Sequence, residues 1–158
     1  MALSREMQRL RAEHAALVAL SRIILAMTEA RHPPPASELT SARGALREAL
    51  VRHLKCEDWI LYPRLMASGD PGLMRTTRAF ELEMGNLSAD YVAYDEMWSG
   101  ARVAADWPGF CRETRRIFEQ LAMRIEREER ELYPLADTLH SAAAALDLPV
   151  RAGSTISS

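Results

Sequence analysis

The sequence predicts an all-α fold, an up-down-up-down four-helix bundle with a short C-terminal helix, and three observations carry that reading. Helix-breaking residues are few and nearly evenly spaced: His32-Pro33-Pro34-Pro35, then Ser68-Gly69-Asp70-Pro71-Gly72, then a softer stretch from Ser99 to Pro108, then Pro149 onward. The segments between them, about thirty residues each, are rich in Ala, Leu, Arg, Glu and Met, which lose little freedom in a helix, while β-branched residues are scattered rather than alternating. Each segment also carries a stripe of residues spaced three and four apart, the period of one helix face. Residues 1–148 are assigned to the bundle and residues 149–158 to a disordered tail.

Helix one occupies the segment before His32, with the stripe Met7, Leu10, His14, Leu17, Ser21 and Ile24. Helix two begins at Ser37, read as its N-cap, and carries Leu46, Leu50, His53, Glu57 and Ile60. Helix three starts from Asp70, an N-cap followed by Pro71, and runs through Leu73, Thr77, Phe80, Met84, Leu87, Tyr91, Tyr94 and Trp98. Asp106, two residues before Pro108, caps helix four, whose stripe is Phe110, Thr114, Ile117, Leu121, Arg124 and Glu128. Pro63 and Pro134, each preceded by Tyr, remove an amide donor and are expected to kink or end helices two and four. Asp137 to Leu148 forms the short final helix.

The overall composition excludes several classes of function. With 158 residues, 48% hydrophobic and 27% charged, the chain is an ordinary globular domain that can bury roughly two thirds of its unfolded surface. Twenty basic and twenty-two acidic side chains leave a net charge of -2, so no global field recommends nucleic acid or an anionic membrane as partner. The longest apolar run, Ala15 to Leu20, is far short of the ~20 residues of a membrane helix, and the N-terminus has no signal-peptide core. A cytoplasmic protein with Cys56 and Cys111 as reduced thiols is the expectation. No nucleophile elbow, phosphate loop or HExxH site is present, so no enzymatic activity is assigned. The expected partner is a protein or a small-molecule signal, and a homodimer is compatible with the sequence.

Polar residues interrupt three of the four stripes near the middle of each helix. His14, His53, Glu57, Arg124 and Glu128 could therefore meet at one level of the core, where ionisable groups are costly unless paired or bound to a metal. The competing reading rotates helix four by one position, making Arg124 and Glu128 an ordinary surface pair, and treats each histidine as a hydrogen-bonded core residue.

The two halves of the chain also resemble each other. Leu10 to Leu20 aligns with Phe80 to Asp90, pairing Glu13 with Glu83 and His14 with Met84. His53 to Leu65 aligns with Arg124 to Ala136, pairing Glu57 with Glu128, Asp58 with Glu129, and Leu61-Tyr62-Pro63 with Leu132-Tyr133-Pro134. A nearly constant offset that superposes two Leu-Tyr-Pro segments indicates a duplicated helical hairpin.

With Glu13-His14 on helix one and His53-x-x-x-Glu57 before Tyr62-Pro63 on helix two, the sequence resembles the hemerythrin-like, or HHE cation-binding, family from about Leu10 to Leu135. The resemblance implies a four-helix bundle around a non-haem di-iron centre, with ligand positions falling on His14, His53, Glu57, Met84, Arg124 and Glu128. His and Glu four apart lie on one helix face, and imidazole with carboxylate suits iron. Met84 offers a thioether better suited to Cu(I), and Arg124 carries a permanent cation that cannot ligate. The site is degenerate in its second half. The leading expectation is a metal-free sensor or interaction module in which Arg124 replaces the metal, neutral overall with both glutamates ionised and one histidine protonated. The alternative is an iron protein for oxygen, nitric oxide or iron handling, holding one ion, or less readily two, on His14, His53, Glu57 and Glu128.

Several other features are read against simple packing. Cys56 is a core hydrophobe or a soft ligand and redox sensor, and Cys111 is a weaker case of the same. Glu29-x-x-His32 is a chance match to a carboxylate-bundle motif, and His140 is a surface residue. Tyr62 and Tyr133 either pack or donate their hydroxyls to the cluster. Tyr91, Tyr94 and Trp98 form the core end of helix three.

Overall fold

The computed structural model describes residues 2–146, with side-chain surroundings over residues 4–139. Every regular element among them is helical. The first bundle helix is α1 (Ala2–Met27). The second is built from α2 (Ala36–Cys56), a π turn (Glu57–Leu61) and α3 (Tyr62–Met66). The third is α4 (Pro71–Met84) followed by α5 (Leu87–Met97), and a short α6 (Gly100–Ala105) leads to the fourth. The fourth is α7 (Trp107–Arg127), a second π turn (Glu128–Leu132) and α8 (Tyr133–Leu146). Contacts of α1 with α2, α7 and α8, and of α5 with α2 and α7, give the expected up-down-up-down bundle.

Local sequence explains most of the boundaries. Asp70 accepts the Leu73 amide at 2.8 Å and Asp106 accepts the Gly109 amide at 3.0 Å, so both expected caps are formed. Gly69, at φ 80, makes the left-handed turn between α3 and α4 that a side chain would strain. Ser37 does not cap helix two. Three prolines hold the chain extended through Pro35, whose carbonyl accepts the Glu38 amide at 3.0 Å and starts the helix one residue before Ser37. The stretch read as soft contains α6, capped by Ser99 on the Arg102 amide.

The prolines of the Tyr-Pro pairs do not end their helices. A π turn precedes each, and the amide of Tyr62 reaches back to the carbonyl of Glu57, as Tyr133 does to Glu128. The wider turn takes in one extra residue, so the helix continues past a missing proline donor. One consequence corrects the expected stripe: Ile60 is 54% exposed, and Leu61 takes its place in the core at 0%. The expected separate final helix is instead the continuation of helix four through α8. The tail at 149–158 and the side chain of His140 lie outside the described residues.

The buried side chains form two apolar clusters. One gathers Leu17, Leu50, Leu54, Leu87, Leu121 and Ile125 with Tyr91, Tyr94 and Trp98, and the other gathers Met7, Leu10, Leu61, Tyr62, Phe80, Met84, Leu132 and Tyr133. Along each helix His14, His53, Glu57, Arg124 and Glu128 fall between residues of the two clusters, forming a polar layer at mid-height. The near-zero exposure of Arg124 and Glu128 rules out the surface-pair reading.

Candidate metal centre

α1 brings His14 to the layer, α2 brings His53, and the two π turns open with Glu57 and Glu128. One ligand atom from each of these four residues lies within 4.8 Å of the others. Both imidazoles are fixed from behind. His14 donates Nδ1–H to Glu129 at 3.1 Å, and His53 donates Nδ1–H to Glu13 at 3.0 Å. Each ring thereby turns Nε2 inward: that of His53 stands 3.0 Å from Glu57 Oε1, and that of His14 stands 3.4 Å from Glu128 Oε1.

The carboxylates are held in a matching way. Tyr133 donates its hydroxyl to Glu57 Oε2 at 2.7 Å, and Tyr62 donates to Glu128 Oε2 at 2.5 Å. Each tyrosine occupies one oxygen and leaves Oε1 toward the centre. Because Tyr133 gives its one hydrogen to Glu57, His14 Nε2, 3.1 Å from the same hydroxyl, keeps its lone pair when the ring is neutral. His53 Nε2 and Glu128 Oε1, both buried, make no well-aligned hydrogen bond despite these close approaches.

Arg124 closes the layer from the second half of the chain. Its Nη2 lies 2.8 Å from Asp58 Oδ1 and 3.4 Å from Glu57 Oε1, and its Nε lies 3.5 Å from Glu128 Oε2. Nη1 donates to the carbonyl of Met84 at 3.1 Å, and the guanidinium carbon sits 5.3 Å from the centre of the Tyr62 ring. Arg124 thus bridges both cluster glutamates.

The electrostatics of the metal-free cluster are asymmetric. Burial pushes His14 below its ordinary value. Burial also opposes charge on His53, but Glu57 and Glu13 on its two nitrogens outweigh it and raise its pKa. Burial favours neutral Glu57, yet His53, Glu128 and Arg124 together hold its carboxyl below the usual carboxylate range. Glu128 is pushed well above that range by burial and by the neighbouring Glu57 charge. Glu128 is thus the cluster carboxyl driven toward its neutral form, and Asp58, 2.8 Å from Arg124, adds a third acidic group beside the guanidinium.

These residues fit a single ion. Opposite ligands of one ion at about 2.1 Å are at most about 4.2 Å apart, so contraction by roughly half an ångström would complete the shell. Outer carboxylates on Nδ1 are the usual device for orienting histidine ligands. A second ion does not fit, because the guanidinium of Arg124 occupies its side and Met84 offers that side its backbone carbonyl.

A four-helix bundle with a buried imidazole and carboxylate layer at mid-height defines the class of protein. The chain matches the family model described as the hemerythrin HHE cation binding domain over residues 6–136, and it belongs to that family. Comparison with curated proteins and with solved structures gives no match.

All five residues expected at the layer are there, and both tyrosines donate their hydroxyls to it. Cys56 is turned away, 3.2 Å from Arg9 Nη2, so it is not brought to the cluster as a ligand. Glu29 and His32 are exposed, consistent with a chance motif. Sequence reasoning missed Glu129 and Asp58 as partners of His14 and Arg124, and Glu13 as the partner of His53. The repeat alignment contained a signal for the first two, since it pairs Asp58 with Glu129 and each reaches into the opposite half of the chain.

Proposed function

We propose that this domain binds one divalent cation, iron(II) by the chemistry of its donors, on His14, His53, Glu57 and Glu128, with Arg124 standing in for a second ion. The observation that carries this reading is the pair of outer carboxylates, Glu129 and Glu13, which turn both Nε2 atoms toward one centre. Two imidazoles and two carboxylates suit iron, manganese or zinc, and ferrous iron so held would supply open positions for a small ligand such as dioxygen or nitric oxide. The chain's own residues orient the ligands, exclude bulk water and keep the tyrosine hydroxyls as donors, burial raising the pKa of both phenols first and the neighbouring glutamates adding to it.

Metal analysis of protein purified after growth with iron tests the proposal. One equivalent per chain is expected, lost in His53→Ala, and the double substitution Met84→His with Arg124→His is expected to take up a second. If the unaltered chain holds neither iron nor zinc after anaerobic titration of the metal-free form, the metal-free reading takes its place. That reading has its own supporting observation, the cation of Arg124 already within 3.4 Å of Glu57. It makes the domain a sensor or interaction module.

A further inference from the structure

A cavity of about 450 Å³ opens between the N-terminal half of α2, the end of α5 and α6. It begins at Arg47, about 9 Å along α2 from His53 at 1.5 Å per residue, and falls within the range of about 300–1,000 Å³ usual for small-molecule sites. Pro33, Pro34, Leu39, Trp98 and Val103 give it apolar walls.

Its polar groups are unevenly matched. Arg43 and Arg47 share one carboxylate, that of Asp95, at 3.1 Å and 2.6 Å. Arg43 also donates through Nη1 to the carbonyl of Trp98 and through Nη2 to the carbonyl of Asp95, and its Nε is buried without a hydrogen-bond partner. Arg47 makes no other polar contact among the described residues, and its side chain is 42% exposed. Two guanidiniums against one carboxylate leave one positive charge at the edge of an apolar cavity.

Gly44 offers a place at which to test the cavity. It lies within α2 on the wall of this cavity, and a Cβ there would meet nothing within 4 Å. Neither a close approach nor a left-handed φ calls for glycine, which weakens a helix interior. Gly44 is exposed where it lines the cavity, so a larger side chain there can act as a block without meeting a neighbour.

We infer that this cavity binds a small apolar monocarboxylate, its carboxylate held by Arg47 and its body lying against Leu39 and Trp98. The charge left over on the arginines selects an anion, a lone carboxylate suffices to balance it, and the apolar walls demand a hydrocarbon or aromatic body. The site is separate from the metal layer and shares no residue with it.

Calorimetry on the full chain with 4-phenylbutyrate and the neutral 4-phenylbutan-1-ol tests the inference. The acid should bind about tenfold tighter than the alcohol, the worth of one charge-assisted contact, and Arg47→Gln should remove that difference. Gly44→Leu should weaken the acid by about tenfold or more while leaving the melting temperature unchanged or raised, since it removes a helical glycine as it fills the cavity. Equal affinities for acid and alcohol, undiminished binding by Gly44→Leu, or no heat from the acid at millimolar concentration would overturn it. Backbone amide shifts on titration should concentrate in residues 33–47 and 95–104, and shifts centred elsewhere would also count against it.

Discussion

Arg124 lies 1% exposed among Glu57, Asp58 and Glu128, and removing its side chain would leave buried carboxyl groups without their cation. Breaking a buried ionic network from one side is costly, so Arg124→Ala should destabilise the metal-free protein by about 3–5 kcal/mol in urea unfolding. A loss under about 1 kcal/mol would mean that the guanidinium interacts as weakly as one at the surface. The histidines set the pH response. His53 has a raised pKa in the folded state, so its contribution is complete below its unfolded value near 6.5 and fades as pH rises through the folded value. Glu128 acts in the same direction, because its folded pKa is also raised and ionising it costs stability as pH climbs. Glu57, with a depressed pKa, contributes above its unfolded value and loses that contribution only in acid. His14, with its lowered pKa, opposes His53 and Glu128 below its unfolded value near 6.5, so the comparison belongs above that value: the metal-free protein should be more stable at pH 7 than at pH 9, as read by the urea midpoint. A cation must displace the proton of Glu128 to use that carboxylate, so the metal-loaded protein should reverse the order.

At the scale of elements, the π turns decide which residues of the Tyr-Pro segments face inward. Leu61→Ala should cost about 2–5 kcal/mol as a core truncation, while Ile60→Ala should stay within about 0.5 kcal/mol, as exposed positions do. A straight α-helix would make Ile60 matter, so comparing the two urea midpoints checks the turn itself. The same feature explains what could be read from the chain. Helical periodicity marks the inward stripe of any straight segment, and it therefore finds His14, His53, Glu57, Arg124 and Glu128. It has no knowledge of a widened turn, which is why it places Ile60 inside. Glu13, Asp58 and Glu129 stand next in sequence to stripe residues, off the helical period, and reach the layer by side-chain length. No period could mark them. The cap at Ser37 fails for another local reason, since the proline run already fixes where the chain turns helical.

At the scale of the whole molecule, two apolar clusters are divided by one polar layer, so any ion held in that layer ties both parts of the core together. Binding at a hundred times the dissociation constant adds about 2.7 kcal/mol to stability. For a domain of this size each kcal/mol shifts the melting temperature by about 2–4 °C, so saturation with ferrous iron or zinc should raise it by about 5–11 °C, reversibly with a chelator. No shift at millimolar metal would argue against occupancy of the layer. Among the described residues no helix is long and apolar enough to cross a membrane. The layer also records the duplication of the chain, because its tyrosines reach across the repeat: Tyr62 of the first half serves Glu128 of the second, and Tyr133 of the second serves Glu57 of the first. Neither hairpin contains the donor for its own carboxylate. Cut at the loop around Gly69, the chain would yield two fragments that each hold half of the other's site, so complementation between them, rather than independent folding of either, is the behaviour this exchange of hydroxyls demands.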